Sequence, residues 1–448
     1  MADPVAPLAP AGPVVADGPA ADRPTVAGPV DLDAELVALL ATPAGRADPY
    51  PRYARIREHA PIFRSSIGSW IVTRYADCQQ VLRVPHFGKE SDHDELIRMR
   101  TARWGIPAEE IADFTEFFGR RQSMLTLNPP DHTRLRGLVA RAFTPNTVEA
   151  LRPGVIALCD GLLDTMAERG AGGDAVDVMK ELAFPLPVAV IGELLGVPVA
   201  DRARFQGLVR AATVILEPMS GLEDLRGARA SRITMEDYFR DLVAERRRRP
   251  AGDLLSELIA VSDGSDRLTE DEVVSTAILL FAAGFETTTN LIGNGLLALL
   301  RHPDELSGLR SWVDDATAVQ RAVEELLRWD SPVQLDGRTA TRDVEMAGQT
   351  IRAGENVMTL LGAANRDPRR FRDPERLDLR RDEGPPMSFG SGIHFCLGAS
   401  LARLEGQVCF SRLLTRFAAI ELRGDDVAYR DAITLRGLAE LPVGLAAA

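Results

Sequence analysis

Apolar residues recur three and four positions apart along most of the chain, the spacing that gives a helix one buried face. It predicts helices over 48–60, 131–143, 147–169, 177–195, 201–216, 228–249, 269–301, 316–329 and 397–417. Alternation replaces that period only in short pieces. Segments 61–65 and 69–73 read as a small hairpin turning at Gly68, and β-like stretches recur near 339–346, 349–351 and 432–443. Over 269–301, Thr269 and Glu272 form a capping box, and a helix of that length spans about 48 Å. Two segments break the pattern. The charged, irregular stretch 85–128, with Trp104, Phe114, Phe117 and Phe118, is long enough to be a lid. The second lid candidate is 217–227, with Gly221 and Gly227 as hinges.

Composition narrows the class. The chain has 448 residues, 45% hydrophobic and 26% charged, ordinary values for a globular protein with ample core. Residues 1–30 are mostly Ala, Pro, Gly, Val and Asp without any period, so they are expected to be a disordered leader before a single domain over 31–448. The longest apolar run, 277–285, falls far short of the roughly 20 residues a membrane span needs. With neither an anchor nor a signal peptide, the expected location is the cytoplasm. A formal charge of −13 argues against nucleic-acid binding. Only Lys89 and Lys180 are lysines, so the basic sites are arginines suited to bidentate carboxylate partners.

The candidate chemistry sits at one cysteine. In Phe389 Gly390 Ser391 Gly392 Ile393 His394 Phe395 Cys396 Leu397 Gly398 a thiol lies inside a glycine-punctuated loop that opens an apolar helix. The glycines admit backbone conformations closed to residues with a β-carbon, and Gly398 leaves room for a flat ligand. Amides at the start of that helix would stabilise a thiolate. Cys78, Cys159 and Cys409 lie in helix-like stretches without such glycines and read as packing residues. No CxxC pair suggests zinc or a dithiol site. In the middle of 269–301 the text Ala282 Ala283 Gly284 Phe285 Glu286 Thr287 Thr288 Thr289 puts a glycine, an acid and three hydroxyls among apolar turns, a sequence poor in helix propensity.

The cysteine segment, followed by Leu401 Ala402 Arg403, resembles the haem-binding signature of the cytochrome P-450 monooxygenases. The resemblance implies that family's fold, mainly α with a minor β-sheet portion, with haem b between the long central helix and the cysteine-loop helix. It makes Cys396 the iron ligand. Phe389, Gly392, His394, Gly398 and Ala283 become haem contacts, and His132, Arg136 and Arg338, with His394, become partners of the propionates. Glu286 and Thr287 match the acid and alcohol that supply protons during dioxygen activation. Glu325 and Arg328 match the family's ExxR pair, and with Arg376 they are expected to form a buried network fixing the cysteine loop.

The chain contains no flavin or iron–sulfur segment, so electrons from NAD(P)H would arrive through a ferredoxin reductase and a ferredoxin. Arg134, Arg141, Arg369, Arg370 and Arg372 are expected to form a basic docking patch on a monomeric protein. The substrate pocket should be apolar and include Ala282, Val333, Leu335, Ile433 and Thr434. The text 289–295 is similar to that of actinobacterial members that tailor macrolides and other polyketides. Fatty acids, terpenoids, steroids and carrier-bound amino acids remain open as substrates. A peroxide-driven hydroxylase, a haem gas sensor and a haem-free helical scaffold are the competing functions.

Overall fold

A computed structural model describes residues 30–89, 107–262, 268–424 and 427–447. The leader expected over 1–30 lies outside the described residues except for Val30, as does 90–106 of the first lid segment. Helices dominate, and the strands gather in three small sheets. Five strands, β1 (Ile62–Arg64), β2 (Ser69–Val72), β3 (Phe87–Gly88), β5 (Leu335–Ala340) and β8 (Asn356–Leu360), run in the order β1-β2-β8-β5-β3, with β2 and β8 parallel. A second sheet joins β4 (Val176–Asp177), β10 (Pro442–Ala447) and β9 (Phe417–Leu422) in the order β4-β10-β9, and β6 (Val344–Met346) pairs with β7 (Gln349–Ile351).

The central helix, Glu270–Arg301, is 32 residues long and starts at the predicted capping box. Apolar side chains on nearly every face of it are buried in the main core, so neighbours surround it. The cysteine helix, Ala399–Arg416, can cross it closely because position 295 is glycine: a Cβ there would lie 2.7 Å from Phe410 Cζ. Helix Ala316–Trp329 matches its predicted bounds. Asp315 caps it through the Thr317 and Ala318 amides, and its stripe Val319, Ala322, Val323, Leu326 and Leu327 is buried.

Several expectations needed correction. Segment 147–169 is two helices, Pro145–Glu149 and Arg152–Gly170, with Pro153 opening the second. Segment 177–195 begins in β4, passes through a π-helical turn over Met179–Ala183 and becomes an α-helix only at Pro185–Leu194. The helix expected from 228 begins at Leu222, so Gly227 is a helical residue and only Gly221, at the N-cap, sits at a joint. The first lid segment holds the helix Ala108–Gly119. Helices Leu32–Ala41, Tyr75–Arg83 and Pro303–Ser311 and strands β8 and β9 were not anticipated.

Candidate haem site

The cysteine loop is shaped by two left-handed glycines, Gly390 (φ 69°) and Gly392 (φ 72°). Gly392 also presses against helix Tyr75–Arg83, where a Cβ would collide with the Leu82 carbonyl oxygen. The loop closes on itself through Cys396 N–H to Phe389 O, 2.9 Å. Cys78, Cys159 and Cys409 are buried, whereas Cys396 is accessible. Although Cys396 reaches the surface, the protein packed around its sulfur pushes the thiol up, opposed by a hydrogen bond from the Gly398 N–H and by Arg136 and Arg403. Gly398 is the N-cap of the cysteine helix, and a Cβ there would meet nothing within 4 Å.

Around the loop stand the expected cations. Arg136 donates through Nη2 to Phe395 O, 2.6 Å, and so braces the loop. The His132 and His394 rings lie 4.2 Å apart. Among the described residues, both ring nitrogens of His132 and Nε2 of His394 are buried without partners. Burial, then Arg338, His132 and Lys89, bring His394 down to about 3. Arg338 is buried and bonds Asp336 Oδ1 at 2.7 Å, and Lys89 Nζ reaches the same oxygen at 2.5 Å. Burial raises the Asp336 carboxyl, but Lys89 and Arg338 outweigh it and hold it at about 2. Lys89 and Asp336 escaped the sequence reading because they lie 247 positions apart.

The central helix is buried through its middle except where Ala283 is exposed and Ala282, Gly284 and Thr287 are half-exposed. Thr287 Oγ1 donates to Ala283 O at 2.9 Å and Thr288 Oγ1 to Gly284 O at 3.2 Å, the back-bonding expected of hydroxyls in a helix. Glu286 is 1% exposed and paired through Oε1 with Arg430 Nη1, while among the described residues Oε2 has no partner.

The Glu325–Arg328 pair is buried and bidentate, at 2.7 and 2.8 Å. Arg328 also donates to the carbonyls of Asn365, Pro374 and Arg376. The third charged member is Arg381, whose Nε lies 3.1 Å from Glu325 Oε2, and not Arg376. Arg376 is exposed and contributes only its carbonyl oxygen, to Arg328 and Arg381.

Of the expected pocket residues, Ala282 and Val333 are half-exposed, whereas Leu335 and Ile433 are packed in a core cluster with Leu39, Tyr53 and Leu360. Thr434 is buried, its hydroxyl bonded to Leu216 O at 2.9 Å.

Residues 106–433 match the family model described as Cytochrome P-450. The chain belongs to the cytochrome P-450 family. It is 41% identical over 404 residues to Cytochrome P-450 107B1 of Saccharopolyspora erythraea, covering 88% of this chain and 95% of that one. To the 6-deoxyerythronolide B hydroxylase of the same organism it is 40% identical over 407 residues, covering 89% and 96%. The solved cytochrome P-450 PksS of the Bacillus subtilis 168 bacillaene polyketide synthase superposes with a TM-score of 0.78 at 37% identity, covering 90% of this chain and 97% of that one. The protein is therefore a P-450 monooxygenase, an enzyme that uses haem iron and oxygen, takes electrons from redox partners and acts on small molecules. Haem fits the residues present. The unpartnered histidines beside Arg338 and Lys89 suit two propionates, and Gly398 leaves space over the thiol. Among the described residues no helix is long and apolar enough to cross a membrane.

Proposed function

We propose that this P-450 inserts one atom of dioxygen into an apolar polyketide or macrolide-type metabolite, working as a cytoplasmic monomer over 31–448. Electrons from NAD(P)H reach it through a ferredoxin reductase and a ferredoxin. The observation that carries the reading is the open face Ala283–Thr287, with Glu286 beside it, in the middle of a helix buried on both sides of that opening. The names of the relatives, a hydroxylase of 6-deoxyerythronolide B and a P-450 of a polyketide synthase, support the substrate class.

In this reading the cofactor is haem b. Cys396 would bind its iron, and His132, Arg136, Arg338, His394 and Lys89 would hold its propionates. Phe389, with Arg403 stacked 4.5 Å over its ring, would lie beneath it. Bound through a thiolate, haem supplies the one-electron and dioxygen chemistry. The Gly398 N–H would stabilise the sulfur as the thiolate that haem iron needs. Thr287 Oγ1 holds a proton that its bond to Ala283 O keeps at the open face. Glu286, with Oε2 unengaged, is the acid that replenishes it. Ala282 and Val333 would contact substrate.

For the ferredoxin, Arg141 and Arg369 are exposed, whereas Arg134 is paired with Glu272 and Arg372 lies 3.9 Å from Glu383. The test is product formation from a macrolide library with surrogate ferredoxin, reductase and NADPH. Compounds that shift the haem to high spin should be oxidised under air. Equal turnover on hydrogen peroxide alone would move the protein to the peroxide-driven class, and ligand binding without turnover to the sensors.

A further inference from the structure

Glu286, Asn290 and Asn294 follow one another at intervals of four, so they form a polar stripe on a single face of the central helix. One structure covers that stripe, the hairpin around Arg430–Gly437. Arg430 N–H bonds Gly437 O at 3.0 Å, and Tyr429 bridges to Leu438. Arg430 pairs with Glu286. Gly437 lies so close to Asn290 that a Cβ there would strike its Oδ1. Asn294 Nδ2 donates to Arg436 O at 3.1 Å. These three attachments, one helical turn apart, fix the register of the hairpin on the helix.

The far end of the hairpin is fixed to a second element, the roof formed by helix Phe205–Thr213 and the turn 214–217 that follows it. The carboxylate of Glu217 accepts from Ile433 N at 2.9 Å and from Thr434 N at 3.0 Å, while Thr434 Oγ1 donates to Leu216 O. Arg430 Nη2 bonds Leu435 O at 3.0 Å, so the guanidinium that meets Glu286 is anchored one residue from the Glu217 clamp. The roof also carries Arg210, on helix Phe205–Thr213. Burial lowers its basicity, and the charge of Glu286 partly restores it.

We propose that Arg430 is the positioning residue for Glu286, and that Glu217 on the roof turn sets where Arg430 stands. The proposal rests on Glu286 being the acid that supplies protons. The Arg430 pair fixes one carboxylate oxygen and, among the described residues, leaves the other, Oε2, buried without a hydrogen bond. A carboxylate aimed by a guanidinium that is itself held at Leu435 O has one orientation, and the roof position fixes the hairpin that carries it.

The decisive measurement is the hydrogen peroxide released per NADPH consumed. It is made on haem-loaded enzyme with surrogate redox partners and without substrate, so no ligand need be known. Glu286→Gln serves as reference. Arg430→Met should shift the peroxide fraction at least twofold in the same direction, and Arg430→Lys should return it most of the way. Lowered haem content with an unmoved fraction means a merely structural residue and overturns the proposal. An unmoved Glu286→Gln removes the acid reading and the proposal with it. A shift in Glu286→Gln alone removes only the proposal. Should Arg430→Met fail to fold, Glu217→Ala takes its place. There, hydrogen–deuterium exchange of peptides spanning 430–435 should rise at least threefold along with the peroxide shift, and wild-type exchange would overturn the coupling.

Discussion

Glu405 lies in the cysteine helix among Leu401, Leu404, Val408 and Cys409, 2% exposed, with Oε2 lacking any partner. Burial alone raises its carboxyl from 4.5 to about 8, and no neighbouring charge offsets the rise. The folded protein therefore holds a proton that the unfolded chain releases above pH 4.5. A carboxyl with a raised folded-state value leaves stability intact below the unfolded value and removes it as pH rises towards the folded one. The full shift of about 3.5 units corresponds to about 5 kcal/mol, and about 3.5 kcal/mol of it falls between pH 5 and pH 8. Glu405→Gln keeps the shape and cannot ionise. Its stability relative to wild type should rise by about that amount across the same interval, whatever constant offset the new amide introduces. Urea unfolding of both proteins in the haem-loaded state, at pH 5, 6, 7 and 8, measures the difference. Parallel curves would refute the argument, because they would mean that the folded protein stabilises the carboxylate.

Breaking the buried network by Glu325→Ala should remove about 3 to 5 kcal/mol and abolish haem incorporation, as scored by the reduced carbon monoxide spectrum. Arg381→Ala should reproduce much of that loss, whereas Arg376→Ala should stay within about 0.5 kcal/mol of wild type, since only its carbonyl is used. Thr287→Ala should retain substrate binding yet divert reducing equivalents into hydrogen peroxide, and unchanged coupling would remove its role. Gly392→Ala meets both a positive φ and the Leu82 carbonyl, so its haem-loaded fraction should fall steeply, while Ser391→Ala, which meets neither, should load normally.

The cysteine loop and the central helix were readable because their signals are local: two glycines and a thiol within seven residues, and a capping box ahead of a long apolar period. Helix 316–329 was readable to the residue for the same reason, with a cap, a stripe and a stop all in its own sequence. What stayed hidden depends on distance. Arg430 meets Glu286 across 144 positions and Asp336 meets Lys89 across 247, and no periodicity reports such pairs. Arg376 and Arg381 look alike in sequence, and only tertiary placement decides which turns its guanidinium inward. Leu335 and Ile433 carry apolar side chains that suit a pocket and a core equally, and the fold packs them in a core cluster. Strand β9 read poorly because its buried residues, Phe417 and Ile420, stand three apart and continue the period of the preceding helix.

The Lys89–Asp336 pair also affects how the molecule can be handled. Of the two lysines, Lys89 has its amine tied to a carboxylate with the side chain 14% exposed, while Lys180 is exposed on the turn after β4. An activated ester surface should therefore acylate Lys180 and spare Lys89. Tethering through that one side-chain amine would orient every immobilised copy alike and leave the propionate cradle chemically untouched.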